Sequence, residues 1–169
     1  MEILLSYCKT HFDPDKKPEE HQFWDSSAAI IARGLCAVLQ NYGNVTYIQP
    51  NELSKIQGKH YDLFVGRDLN FHRILQCAHI TKSIYIAVNM HYSERNNLIQ
   101  EFISQGNLPL DAISGQDLIY TADQIQSLTV ADHILCFGNN NTMNTYLKNG
   151  VDIGKIHVVN YDVGDVSLA

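Results

Sequence analysis

Polar side chains follow three apolar runs of this sequence, at the points where strands would end. They are Arg67, Asp68, Asn89, His91 and Asn139. An arginine in such a place can bind a phosphate or a carboxylate through two parallel hydrogen bonds. In an open parallel sheet, ligands bind outside the carboxyl ends of the strands, near the point where the strand order reverses. The loops that carry these residues are therefore the predicted site.

A second candidate is the pair Ser26 and Ser27, which stands where a long loop enters a helix. Small hydroxyl side chains leave room for a ligand and can donate hydrogen bonds to it. Every candidate also has a purely structural alternative. Ser26, Ser27, Asp68 and Asn139 would then be helix caps or turn residues, Arg67 a solvated side chain, and His91 a surface-loop histidine.

The other reactive side chains form no recognisable centre. Of the eight histidines, His72 and His79 are seven residues apart, without Cys, Asp or Glu at ligand spacing. Cys136 lies within an apolar run and has no evident base beside it, so a nucleophilic role is not predicted. The sequence predicts neither a metal centre nor a bound cofactor.

Composition narrows the class of protein. The chain has 169 residues, a net charge of −6 and 12 scattered Lys and Arg. Nucleic-acid-binding proteins typically have clustered basic residues, so this class is not predicted. No long apolar run and no basic-then-apolar leader is present, so neither a membrane span nor a secretory signal is predicted. We expect one cytoplasmic domain, with no support for membrane association.

Apolar, β-rich runs alternate with segments of helical period. Strands are predicted at residues 1–7, 44–49, 61–66, 82–90, 132–137 and 155–159. Helices are predicted at residues 28–42, where Gly43 would end the helix, and at 142–149, where Gly150 would end it. Three further helices are predicted to begin at Asp68, to follow a Ser93 cap, and to run from residue 114 or 117 to residue 128. Such alternation indicates parallel strands, because right-handed crossover helices connect them. The prediction is a three-layer, Rossmann-like α/β domain with a mainly parallel sheet of about six strands and helices on both faces.

The long loop after the first strand, residues 8–24, argues against two classes of nucleotide binder. A dinucleotide-binding domain needs Gly-x-Gly-x-x-Gly there, because side chains would keep the pyrophosphate from the helix N-terminus. This sequence has Cys8-Lys9-Thr10 instead, and it contains no P-loop. Long loops in compact domains are usually functional, so this one is expected to contribute to the site.

The segment 131–160 carries a family resemblance. It runs Ala131-Asp132, a strand, a short helix, and then the strand Lys155-Ile156-His157-Val158-Val159-Asn160. This pattern resembles the exit from the first domain of the family 4 retaining glycosyltransferases, GT-B enzymes with two facing Rossmann-like domains. The resemblance implies that residues 1–169 form the N-terminal, acceptor-side domain, and that the C-terminal donor-binding domain is absent from this sequence.

The resemblance also implies roles for the candidate residues. A nucleotide-sugar would be the co-substrate, and its sugar would pass to an acceptor without a metal. His91 would be the catalytic residue, as a hydrogen-bond partner of the donor sugar or of the oxocarbenium-like centre. Substrate binding would fall to Ser26, Ser27, Arg67, Asp68, Asn89 and Asn139. Without the second domain, no turnover is expected.

Two departures from the family pattern leave an alternative open. Ser26-Ser27 replaces the usual Gly-Gly pair, and the sequence after Val159 does not continue as Pro-Asn-Gly-Val-Asp. The alternative is a non-catalytic flavodoxin-like or Rossmann-like module that binds a ligand or a partner. A receiver domain is disfavoured, because Cys8-Lys9 stands where its acidic residues would follow the first strand.

Overall fold

The chain folds around one parallel sheet. The structure, a computed structural model, describes residues 1–7, 12–21, 26–67 and 70–159, with the side chains of Ser27 and of residues 115–120 excepted. Its strands are β1 (Glu2–Ser6), β2 (Asn44–Ile48), β3 (His60–Gly66), β4 (His79–Ala87), β5 (His133–Phe137) and β6 (Ile156–Val159). They are all parallel and lie in the order β2-β1-β3-β4-β5-β6. The predicted α/β sheet is confirmed.

Helices connect the strands, as the alternating pattern predicts. They are α1 (Ser27–Gln40), α2 (Phe71–Cys77), α3 (Tyr92–Ser104), α4 (Gly115–Val130) and α5 (Asn140–Lys148), with short 3₁₀ turns at Pro18–Glu20, Leu53–Lys55 and Ile153–Lys155. Within the described ranges, no helix is both long enough and apolar enough to cross a membrane.

Alternate residues of each strand point to opposite faces of the sheet, and each face has its own core. On the first face, Leu4, Phe64 and Ile134 pack with side chains of α2, α4 and α5. On the second face, Ile3 and Val65 pack with side chains of α1. Helices therefore lie on both faces, which gives the predicted three layers. Helix α3 packs against α4.

Helix α1 packs through a different stripe than the sequence suggests. Its apolar residues predict a buried face that includes Ile30 and Val38, but these side chains are 45% and 54% exposed. The buried residues are Leu39, which the predicted face includes, and Ala29, Ala32 and Cys36, which it does not. Their spacing follows the helical period, and the small alanine side chains let the helix lie close to the sheet.

Helices α2 and α3 begin at other residues than the prediction gives. The helix expected from Asp68 begins at Phe71, and the helix expected after a Ser93 cap begins at Tyr92 with His91 as its cap. In the second case, the His91 ring supplies the acceptor that Ser93 was expected to supply.

Gly43 is not the helix-terminating cap that its position suggests. Helix α1 ends at Gln40, and its C-cap Asn41 keeps a right-handed conformation. A Cβ atom on Gly43 would lie 1.9 Å from the carbonyl oxygen of Met1, which accepts a hydrogen bond from Asn44 N. Gly43 is therefore required by the close approach of two backbone segments. Gly106 and Gly150, by contrast, do have the positive φ of helix-ending glycines.

Candidate functional site

The strand order creates one switch point, between β1 and β3. These neighbouring strands lead away in opposite directions, because β1 continues through α1 to β2 while β3 continues through α2 to β4. Helices α1 and α2 lie on opposite faces of the sheet. In open parallel sheets, the loops that follow two such strands diverge and leave a crevice at the carboxyl edge. Ligands of open parallel sheets bind in such a crevice.

Arg67 stands at this crevice and is held by Tyr7. Its Nη1 donates a hydrogen bond to the Tyr7 hydroxyl at 3.2 Å, and its guanidinium carbon lies 5.5 Å from the centroid of the Tyr7 ring. Tyr7 itself is 1% exposed, so its ring is a fixed support. This combination of a hydrogen bond and a cation–π contact positions a permanent positive charge beside the switch point.

The described part of the long loop is fixed by ring contacts. Phe12 stacks on His21 with ring centroids 5.9 Å apart, and its edge meets Tyr47 of β2 at 5.8 Å. Phe12 also packs against the second-face core. The Asp13 carboxylate accepts a hydrogen bond from Asp15 N and so forms a local turn. Phe12 and His21 thus anchor this segment beside Tyr47, close to the end of β2.

Ser26 is a helix cap. Its Oγ accepts a hydrogen bond from Ala29 N at 3.2 Å, which satisfies one of the unpaired amides at the start of α1. The cap of the structural alternative is therefore present, and the predicted substrate-binding role of Ser26 stays a prediction. The Ser27 side chain, Asp68 and loop residues 8–11 and 22–25 lie outside the described parts of the chain, so their predicted roles stay predictions.

His91 is buried, with 2% of its surface exposed. Its Nδ1 accepts a hydrogen bond from Ser93 N at 3.2 Å, its ring meets Tyr146 edge-on at 5.5 Å, and its backbone N donates to Thr145 Oγ1. Burial lowers the pKa of His91, and the nearby Glu94 carboxylate opposes that effect only in part. The ring is therefore neutral near pH 7, and its proton is on Nε2 because Nδ1 accepts. His91 is a hydrogen-bond donor and not a surface-loop residue.

A buried polar network fixes the loop that carries His91. The side-chain Oε1 of Gln124 accepts from Tyr92 N at 2.8 Å, and its Nε2 lies 3.5 Å from the hydroxyls of Tyr85 and Tyr146. Tyr146 in turn donates to the carbonyl oxygen of Asn89 at 2.8 Å. The sequence pattern does not single out Gln124 or Tyr146, because both are ordinary helix residues until the helices pack on the loop.

The His91 ring also lines an open cavity of about 280 Å³ on the first face. The cavity lies between the second half of α4, which contributes Ile125 and Leu128, and the segment that follows α5, which contributes Val151. Lys155 also lines the cavity, and its ammonium donates to the carbonyl oxygen of Ala131 at 2.9 Å. The lining therefore combines apolar and polar side chains.

The predicted residues divide between two places along the carboxyl edge. Arg67 rests on Tyr7, whose side chain belongs to the second face, whereas His91 packs against Tyr146 on the first face. Asn89 and Asn139 are exposed beyond the ends of β4 and β5. The Asn139 side chain accepts from the amides of residues 141 and 142, so it caps α5.

The described residues contain neither a three-ligand metal site nor an activated thiol. Within those ranges, no three His, Cys, Asp or Glu side chains are grouped to hold one metal ion. Cys36, Cys77 and Cys136 are free thiols, and burial raises the pKa of Cys36 and of Cys136. A raised pKa keeps a thiol protonated and therefore unreactive as a nucleophile.

No protein-family model, no curated protein and no solved structure matches this chain. The features available for a functional proposal are therefore the resemblance of segment 131–160, the switch-point crevice with Arg67, and the buried donor His91.

Proposed function

We propose that this chain is the acceptor-side domain of a cytoplasmic retaining glycosyltransferase. In this proposal a nucleotide-sugar binds mainly to a second, donor-binding domain, and the acceptor binds at the carboxyl edge of the sheet described above. The chain alone is inactive, because the donor site is assembled only when the two domains close. The proposed partners are an acceptor molecule, a nucleotide-sugar and that second domain.

The observation that carries the proposal is the contact between the Arg67 guanidinium and the Tyr7 side chain at the switch point. An acceptor bound there would meet a guanidinium whose position is already fixed, so that little side-chain entropy is lost on binding. Arginine matches the geometry of a phosphate or carboxylate oxygen pair. The proposed acceptor therefore carries an anionic group, and Arg67 orients it.

His91 would act as a neutral donor. Because its proton is on Nε2, the ring can donate a hydrogen bond to a sugar hydroxyl, and it adds no positive charge near an oxocarbenium-like centre. A carbohydrate hydroxyl can then accept from His91 while the exposed Asn89 and Asn139 amides offer further hydrogen bonds. The neutral state is favourable for this task, since a charged ring would repel the developing cation.

Acceptor binding can be tested without the second domain. Amide resonances of residues 1–169 would be followed by NMR during titration with sugar phosphates, neutral sugars, and UDP- and GDP-linked sugars. We expect sugar phosphates to shift signals around Arg67 and Asn89, and R67A to weaken that binding about tenfold or more, the typical loss of a charge-assisted pair. R73A, which removes an exposed arginine on α2, should leave binding unchanged.

Two outcomes would contradict the proposal. One is sugar transfer catalysed by residues 1–169 alone, because the donor site would then not require another domain. The other is equal binding of sugar phosphates by R67A and R73A, because the crevice arginine would then have no role in the site.

A flavodoxin-like ligand-binding module is the second candidate, and the strand order favours it. The order β2-β1-β3-β4-β5 is that of flavin-binding doubly wound domains, whose ligand also binds at the β1/β3 switch point. The dinucleotide-binding fold has the strand order 3-2-1-4-5-6. Without its outermost strand, and with the remaining strands renumbered along the chain, its order would be the same as that of the flavin-binding fold. FMN separates the candidates: a yellow protein after reconstitution with FMN supports the flavin module, and a colourless one supports the glycosyltransferase domain.

A further inference from the structure

Two histidines of neighbouring strands point at each other on the second face of the sheet. His133 of β5 and His157 of β6 have Nδ1 and Nε2 only 3.2 Å apart, with ring centroids at 5.2 Å. The strand register produces this contact. His157 pairs with Leu135, so it lies diagonally across from His133, which is two residues earlier in β5. His133 is half-buried and His157 is exposed, so solvent and solutes can reach the pair.

We infer that His133 and His157 form a two-histidine site for a divalent transition-metal ion, with Zn²⁺ or Cu²⁺ as the natural occupants. This inference is independent of the proposed sugar transfer and concerns a different part of the sheet. Neutral imidazole is the protein ligand that both ions favour. The two rings supply two ligands, and water completes the coordination.

The nitrogen-to-nitrogen distance is the main support. Two ligands at the usual Zn–N length of about 2.0 to 2.1 Å, at a tetrahedral angle, are separated by about 3.3 to 3.4 Å. The observed 3.2 Å is within about 0.2 Å of that separation. Without a metal, one ring must keep its proton on the nitrogen that faces the other ring. When the ion binds, that proton moves to the far nitrogen and both facing nitrogens become ligands.

The strands also hold the ligands in place. Neighbouring strands lie about 4.7 to 4.9 Å apart, so same-face side chains of β5 and β6 stay close in every arrangement that keeps the register. Ile84 is the register partner of His133 on β4, and Leu135 is that of His157. These apolar neighbours restrict the rings and exclude water from one side. A metal bound there would find its protein ligands already positioned.

The sequence offers a matched control. His60 and His79 are also register partners on adjacent parallel strands, β3 and β4, and both are exposed. No ring contact between them is found in the described structure, in contrast to the 3.2 Å approach of His133 and His157. A variant at His79 therefore tests whether any cross-strand histidine pair binds metal, or only the converging one.

The test is a titration of the tag-free protein with Zn²⁺, followed by calorimetry and by competition with a chromophoric chelator. We expect one ion per chain, a loss of about tenfold or more in affinity for both H133Q and H157Q because one of two ligands is removed, and unchanged affinity for H79Q. Circular dichroism would establish that each variant is folded. In the unmodified protein, Cu²⁺ should broaden the NMR signals of residues 133 and 157 before those of residues 60 and 79.

The inference is overturned by equal zinc affinity in H133Q and the unmodified chain, or by broadening centred on residues 60 and 79. One ion per two chains would also overturn it, because the site would then be bridged by a second molecule and not completed by water. None of these results depends on the acceptor titration, which tests Arg67. The metal site and the proposed function can therefore fail independently.

Discussion

At the residue scale, His91 shows how burial can set the chemistry of a side chain. The ring is a helix cap through Nδ1, is shielded from water, and keeps its proton on Nε2. The sequence placed His91 correctly at the end of β4 but could not indicate its neutral state. That state depends on Tyr146 and on the helices that cover the ring, which lie far away along the chain.

The lowered pKa of His91 predicts a pH-dependent stability. The unfolded chain has a histidine pKa of about 6.5, and the folded pKa is lower, so between these values the unfolded state binds a proton that the folded state does not. The stability that neutral His91 contributes is therefore present above about pH 7 and declines as the pH falls through the unfolded value. H91N keeps a capping side chain but cannot titrate.

Urea unfolding of the native chain and of H91N at several pH values between about 7.5 and 5 measures this effect. We expect the free energy of unfolding of the native chain to fall relative to that of H91N as the pH decreases. All other histidines are common to both proteins, so their contributions cancel in the difference. A difference that does not change with pH would show that the folded state protonates His91 as readily as the unfolded state does.

At the scale of single elements, the two ends of helix α1 differ in how far the sequence predicts them. Ser26 caps the start by accepting a local hydrogen bond from Ala29 N, so four consecutive residues contain the whole interaction. The exit past Gly43 depends on the carbonyl of Met1, which is distant in sequence. Local motifs were therefore predictable, and contacts between chain segments were not.

The same contrast predicts opposite effects for two glycine substitutions near α1. G43A places a Cβ 1.9 Å from the Met1 carbonyl oxygen, so the backbone must move, at a cost of about 1 to 3 kcal/mol. G34A lies on the exposed side of α1 with nothing within 4 Å of the added Cβ. It should stabilise the protein by about 1 kcal/mol through helix propensity.

Thermal and urea unfolding of both variants measure these two changes. G34A serves as the control for G43A, because the same atom is added at each position. If G43A proved as stable as the unmodified chain, then the contact between Gly43 and Met1 would not be a feature of the folded protein, and Gly43 would be an ordinary residue after a helix.

At the scale of the whole molecule, the residues behind the family resemblance stabilise the fold. Ala131 is fully buried in the first-face core, and the Lys155 ammonium donates to the carbonyl oxygen of Ala131 at the end of α4. Asp132 Oδ2 accepts from both the backbone N and the hydroxyl of Ser83 at 2.8 Å. A motif of this kind predicts β5, α5 and β6 well, because it specifies how they join the sheet. It contains no side chain of the switch-point crevice, so it cannot predict the substrate.

Strand order was the part of the architecture that the sequence could not predict. Alternating strands and helices indicate a parallel sheet, but the position of β3 beside β1 depends on which side chains pack across the sheet. The start of β4 illustrates this: the apolar run predicts Lys82, whereas the strand begins at His79 because it pairs there with His60 of β3. Pairing between strands extends an element beyond its apolar run.

The Asp132–Ser83 contact yields a prediction for the whole sheet. Ser83 is 1% exposed, and its hydroxyl also accepts a hydrogen bond from Asp132 N. A reciprocal pair therefore joins the middle of β4 to the residue that precedes β5. D132A leaves the buried Ser83 groups without this partner, which costs about 1 to 3 kcal/mol. Any opening that separates β5 from β4 becomes easier by that amount, whereas the opening of the opposite edge strand β2 leaves the pair intact.

Native-state hydrogen exchange separates these openings strand by strand. We expect D132A to speed exchange of the β5 amides by about fivefold or more, with β2 amides that exchange by local opening unchanged. D111A, which alters an exposed loop carboxylate, should leave both strands as they are. Unchanged β5 protection in D132A would mean that the Asp132 carboxylate does not hold the two strands together. The attachment of β5 to β4 would then come from strand pairing and from the apolar packing of residues such as Ile134.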